Sequence, residues 1–182
     1  MRRVAVLILT VLLTAVLASS VSASSVHLKG GPRAEPTFDD LGLQLNAQGD
    51  LAGLGNENIL VTITATANPT STCTNPSGKQ QPPGQNPAEA EVSGSVSIPR
   101  EEIDNGNVHF DVTTDPPPSP IEGAPDCPGS SWTETITDLA FTSAVITVEQ
   151  PEGNLVLTIS CTFSSPTSNG PVPGANVSCT QS

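Results

Sequence analysis

Over most of this chain, every second residue is hydrophobic. Leu41, Leu43, Leu45 and Ala47 alternate with Gly42, Gln44 and Asn46. Ile59, Val61, Ile63, Ala65 and Ala67 alternate with Thr62, Thr64 and Thr66, and Ala88, Ala90, Val92, Val96 and Ile98 with Glu89, Glu91, Ser93, Ser95 and Ser97. The same period marks Val108–Val112 and Leu155–Phe163, and a shorter run ends the chain at Ala175–Cys179. A period of two places one face of a strand in a core and the other in water. The segment from Trp132 to Val148 is longer and changes phase. Leu139 and Phe141 share one face, Ala144, Ile146 and Val148 the other, so a bulge near Thr142–Ala144 is expected. Past the N-terminal segment the longest helical-looking piece, Pro99–Asp104, is at most one turn. About seven antiparallel strands without a helix predict an all-β sandwich, immunoglobulin-like or a related Greek key.

The connections alternate between long and short. Pro69–Pro87, Asp115–Ser131 and Ser164–Gly174 are long, and 14 of the 18 prolines fall in them. Proline lacks the amide donor of a central strand, which places these stretches in loops. If each connection reverses direction, the three long loops share one end of the sandwich. Cys161 and Cys179 are equidistant from Gly170, so a hairpin centred there sets them opposite one another. Cys73 and Cys127 then pair by elimination, giving two disulfides. No cysteine pair has C-x-x-C spacing and both histidines are remote from the cysteines, so no metal site is expected.

The first 23 residues carry Arg2 and Arg3, an apolar run from Val4 to Ala18, and small residues at Val21-Ser22-Ala23. This is the pattern of a secretory signal peptide cut after Ala23. The expected organisation is a signal peptide (1–23), an N-terminal arm (24–36) that includes His27, and a single sandwich domain (37–182). After cleavage, 4 basic and 18 acidic residues leave a net charge of 4 − 18 = −14. Such a field repels phosphate backbones and anionic bilayers, which argues against nucleic acid and, after cleavage, against membrane as partners.

Candidate chemistry is thin. His109 and Asp111 share a strand face and could form an oriented base, yet no nucleophile motif accompanies them. Asp104-Asn105-Gly106-Asn107 offers oxygens for calcium but lacks the remaining ligands of a calcium loop; Asn-Gly favours a tight hairpin turn instead. The outward row Thr62, Thr64 and Thr66 has the look of an ice-binding ladder, but no solenoid repeat supports it and a solvated strand face is the simpler reading. Glu89 with Glu91, and Glu101 with Glu102, are carboxylate pairs without aromatic sugar platforms, since the chain has no tyrosine and one tryptophan. Trp132 is expected as a core anchor where the second long loop meets its strand.

The ordered set KGGP (Lys29–Pro32), GLGN (Gly53–Asn56), NPSGKQQPPGQNP (Asn75–Pro87) and AFTSAVITVEQPEG (Ala140–Gly153) resembles a group of small secreted bacterial proteins. The resemblance implies bacterial export and supplies no catalytic residue.

Together these features predict a secreted, acidic, non-enzymatic binding module for an extracellular ligand or surface, without a cofactor. Its recognition residues are expected on the long loops, at Lys79, Gln80, Gln81, Gln85, Asn86 and Trp132. A structural subunit of an extracellular coat and a hydrolase with a concealed carboxylate pair are the other classes compatible with the composition.

Overall fold

The structure is a computed structural model that describes residues 26–82, 88–120 and 126–182. The expected signal peptide, Gln85 and Asn86 lie outside the described residues. Two antiparallel sheets pack face to face. The first contains β1 (His27–Leu28), β2 (Thr37–Asp40), β3 (Leu45–Ala52), β7 (Asn107–Thr113) and β10 (Gly170–Pro171). The second contains β4 (Ile59–Thr74), β5 (Gln80–Gln81), β6 (Ala90–Ile98), β8 (Thr133–Glu149), β9 (Leu155–Phe163) and β11 (Val177–Gln181). In the first sheet β7 lines one edge of β3, while β1 and β2 share the other and β10 continues beyond β2. The second sheet runs β11-β9-β8-β4, with β6 and β5 sharing the far edge of β4.

The alternation sorts side chains as expected. Ile59, Val61, Ile63, Ala65 and Ala67 of β4 are buried against Leu45, Ala47 and Leu51 of β3 and Phe110 of β7 in one core. Phe38 of β2 meets Phe163 of β9 edge-on across the two sheets, with ring centroids 5.2 Å apart. Aromatic pairs favour this geometry because a positive ring edge meets a negative face.

β8 holds its phase by bulging twice. Fifteen residues of β4 (60–74) face seventeen of β8 (133–149), and the registers skip Thr142 and Thr137. The first skip is the bulge anticipated near Thr142–Ala144. Each skipped threonine donates its hydroxyl to a β4 carbonyl, Thr142 to Thr66 (3.2 Å) and Thr137 to Thr70 (3.1 Å). With two single-residue resets, Glu134, Ile136, Leu139, Phe141, Ala144, Ile146 and Val148 all turn inward.

Several boundaries differ from the expectation. Leu41–Ala47 is not one strand. The Asp40 carboxylate accepts a hydrogen bond from the Gly42 amide, and the Leu41 amide donates to Gln44, which closes a turn and leaves Leu41 exposed. The connection expected at Gln48–Glu57 starts later, because β3 continues to Ala52. The long loop expected at Pro69–Pro87 is in large part strand, since β4 runs on through Pro69 to Thr74. Proline is tolerated there because the β6 ladder stops at Ala67, and Leu139, opposite Pro69, sends its own amide outward to Gly42. Pro69 therefore needs no ladder donor. The segment expected as an arm contributes β1, whose Leu28 is buried. Among the described residues eleven strands replace about seven, because three have only two residues and β2, which precedes the turn at 41–44, is an additional strand.

The sheets join at two corners. At one, the Asp115 amide donates to the Ser93 carbonyl (2.8 Å). Gly94 makes this approach possible, for a Cβ there would lie 2.0 Å from the Thr113 carbonyl oxygen and 2.8 Å from the Thr114 Cα. Backbone cannot yield as a side-chain tip can. Gly94→Ala should therefore destabilise by about 3 kcal/mol, the upper end of ordinary overpacking costs. Gly174→Ala, which meets nothing within 4 Å, should be close to neutral. Urea unfolding midpoints of the two variants test the contrast.

Candidate functional site: the stapled long-loop end

The turn at 41–44 is the hub of one end of the sandwich. Leu139 of β8 donates its amide to the Gly42 carbonyl, and Gln44 donates through Nε2 to Thr114, where the second long loop begins. Asp138 and the third-loop residue Asn169 close over Gly42. Asp40, 2% exposed, holds the hub through both oxygens: Oδ1 accepts from Gly42 and Oδ2 from the Thr167 hydroxyl, which itself accepts the Phe141 amide. Thr114 is fully buried and its hydroxyl accepts the Leu45 amide. The start of each long-loop segment thus reaches the same end, as the alternation of connection lengths implied.

Beyond the hub, β4 and β8 continue as a ribbon. At its tip Asn75 organises a tight turn. Its side-chain oxygen accepts from the amides of Ser77 and Lys79 and from the Ser77 hydroxyl, while its backbone amide donates to the Lys79 carbonyl. An Asn side chain that captures nearby amides in this way mimics a backbone turn. Chain reversal here sets Gln80 opposite Thr74 and Gln81 opposite Cys73.

The Cys73–Cys127 disulfide ties the ribbon to the second long loop, and Cys161–Cys179 joins β9 to β11. Both pairings are those expected from the sequence. The first closes 54 residues of sequence separation, worth about 4 kcal/mol in the chain-entropy description. Two formed disulfides fit an oxidising compartment.

Of the residues expected to recognise a ligand, four gather at this tip. Lys79 and Gln80 are exposed and Gln81 is half-buried. Trp132 precedes Thr133, which faces Thr74. It stands where the second loop meets β8, yet it is half-buried and outside the main core, contrary to its expected role as a core anchor. The loop packs instead through Cys127 and the buried Pro117, leaving the indole at the margin.

Sequence reasoning missed Glu134. It is fully buried, directly opposite Cys73 in the β4–β8 ladder. Its Oε1 accepts from the Ser71 hydroxyl (2.8 Å) and its Oε2 from the Asp126 amide (3.3 Å), one residue before Cys127. The available signal was parity, since Glu134 shares its phase with the inward Ile136. Asp40 and Glu134 are both occupied in holding loops.

The opposite end carries a depression of about 620 Å3, lined among others by Asn56, Glu57, Asn58, Pro99, Arg100 and Glu152. Gln150 braces it. Its Oε1 accepts the Gly55 amide, and its Nε2 donates to the carbonyls of Gly55 and Glu57. The lining residues named are all exposed, unlike the enclosed, mainly apolar walls of a small-molecule pocket. On its rim, the Glu101 carboxyl is held below its ordinary 4.5, first by its own backbone amide and then by Arg100.

His109 pairs across the strands with Asp50 (3.2 Å) rather than with Asp111, which accepts from Asn46 and Gln48. The pair is exposed on both sides. Asp104–Asn107 is the tight turn expected, with Asn105 and Gly106 at positive φ. Among the described residues no three His, Cys, Asp or Glu side chains gather as a metal-binding group.

No protein-family model, curated protein or solved structure matches the chain.

Removing the buried carboxylate strands the Ser71 hydroxyl and the Asp126 amide. Glu134→Ala should cost about 2–4 kcal/mol, and the isosteric Glu134→Gln less. Denaturant unfolding measures both. Separately, Arg100→Ala should raise the Glu101 titration only part of the way toward 4.5, since the backbone hydrogen bond, its larger cause, remains. Carboxyl NMR reads that shift.

Proposed function

We propose that the protein is an exported, non-enzymatic binding module that engages an extracellular ligand or surface through the tip of the β4–β8 ribbon. The observation carrying this reading is the construction of that tip. The β4–β8 ribbon, edged at its tip by β5, is stapled by Cys73–Cys127, braced from within by Glu134, and ends in exposed Lys79 and Gln80 beside Trp132. Recognition residues on sandwich folds sit on loops held by such a scaffold, and a stapled loop loses less entropy on binding. Lys79 is one of only four basic residues after the expected signal peptide. A positive side chain at the end of an acidic body lets the tip lead an approach to an anionic or neutral surface.

The test presents the exported protein to immobilised peptidoglycan, a neutral polysaccharide and an extracellular matrix protein. The expected result is retention on at least one, weakened roughly tenfold or more by the triple substitution Lys79→Ala, Gln80→Ala and Trp132→Ala, with the unfolding midpoint unchanged. Retention on none of the three, or undiminished retention of the variant, would overturn the proposal.

A further inference from the structure

The beginning and end of the described chain meet at the second corner of the sandwich. β1 uses one edge to pair with β3, with His27 opposite Ala52 and Leu28 opposite Leu51. The Leu28 amide faces the other way, toward the second sheet, and donates to Oε1 of Gln181 at 2.8 Å. The same side chain donates through Nε2 to the carbonyls of Gly31 and Ala34, both at 3.3 Å. One terminal amide thus substitutes for a missing strand partner at three backbone groups. Two residues earlier, the Cys179 amide donates to the Glu35 carboxylate at 3.2 Å.

Gln181 is only as well placed as β11. This strand is an edge, laddered to β9 alone over five residue pairs, and Cys161–Cys179 lies at the centre of that ladder. Cys161 is 2% exposed and Cys179 is half-buried, so an incoming thiolate reaches Cys179 first. The N-terminal segment in turn depends on this strand. Besides Gln181 and Glu35, the short β1 ladder and the Lys29 amide on Asp50 tie it to the rest of the sandwich.

We propose that Gln181 and the Cys161–Cys179 disulfide form a redox-sensitive clasp on residues 27–35, and that reduction by an extracellular dithiol releases this segment. The dithiol's thiolate attacks the Cys179 sulfur and expels Cys161 as thiolate. Its second thiol then resolves the mixed disulfide. The reductant leaves oxidised, and its two electrons and two protons end on Cys161 and Cys179. Release draws Leu28 out of the core and uncovers the β3 edge at Leu51–Ala52, a row of backbone groups able to pair with another strand. The clasp is independent of the ribbon-tip reading, because it involves neither Cys73–Cys127 nor the tip residues.

Trypsin provides the readout, since the four basic residues after the expected signal peptide divide evenly. Lys29 and Arg33 are exposed within the clasped segment, while Lys79 and Arg100 are exposed elsewhere. In the exported protein, Gln181→Ala and the pair Cys161→Ala with Cys179→Ala should each speed cleavage after Lys29 and Arg33 roughly tenfold, as local opening requires. Cleavage after Lys79 and Arg100 should stay unchanged. Combining all three substitutions should add less than the product of the separate effects. Unchanged cleavage at Lys29 and Arg33, or an equal rise at all four sites, overturns the clasp. If the double cysteine variant does not fold, graded dithiothreitol on the wild-type protein replaces it. Cleavage at Lys29 and Arg33 must then track the appearance of Cys161 and Cys179 thiols by mass spectrometry, and thiols without faster cleavage overturn the proposal.

Discussion

The pairing of β4 with β8 is the constraint on which the rest of the molecule depends. It is the longest ladder, and it does two jobs along its length. Near Ile59–Ala67 it is the centre of the second sheet and supplies one wall of the core. Beyond Ala67 it outruns the β6 and β9 ladders and becomes the ribbon that carries the Cys73–Cys127 staple. A strand pair of this length accumulates twist, and a single register could not keep one face buried from end to end. The bulges at Thr142 and Thr137 reset the phase, and their hydroxyls occupy β4 carbonyls where the ladder slips.

Buried polar groups do the second half of the work. Asp40, Thr114, Glu134 and Gln150 are each nearly or wholly enclosed; Thr114 holds the start of β3, and the other three each secure a connection. Asp40 gathers the hub turn and the third loop, Glu134 fixes the second loop near its disulfide, and Gln150 holds the loop at Gly55–Glu57. Loops cannot satisfy their backbone groups by laddering, so a buried side chain with more than one polar atom is an economical way to order them.

The two outer faces differ in chemistry. The first sheet turns Asp39, Asp50, Asp111 and His109 outward. The second turns out rows of hydroxyls, with Thr64 flanked by Ser93 and Thr62 lying between Ser95 and Thr147. The threonine row noticed in the sequence belongs to this sheet-wide face. On this face the carboxylates Glu91 and Glu149 stand toward the ends of the ladders, opposite Thr66 and Leu60.

Alternation carried the all-β sandwich, the burial face of the long strands and the first bulge, and cysteine spacing with elimination carried both disulfide pairings. Parity, proline placement and cysteine spacing are local properties, and each restricts the backbone directly. Sequence reasoning failed where a residue's role was set by what lay across from it. Pro69 read as a loop breaker because nothing nearby shows that the β6 ladder ends at Ala67. Leu41–Ala47 alternated as a strand although Asp40 folds it into a turn. Glu134 and Gln181 looked like ordinary polar residues, and their partners lie 63 and 153 residues away. The sequence by itself therefore determined the class of fold and which faces are wet. Tertiary structure decided where strands end, which polar residues are buried, and that residues 28–35 close on β11, because those outcomes depend on long-range hydrogen bonds that leave no periodic mark in the chain.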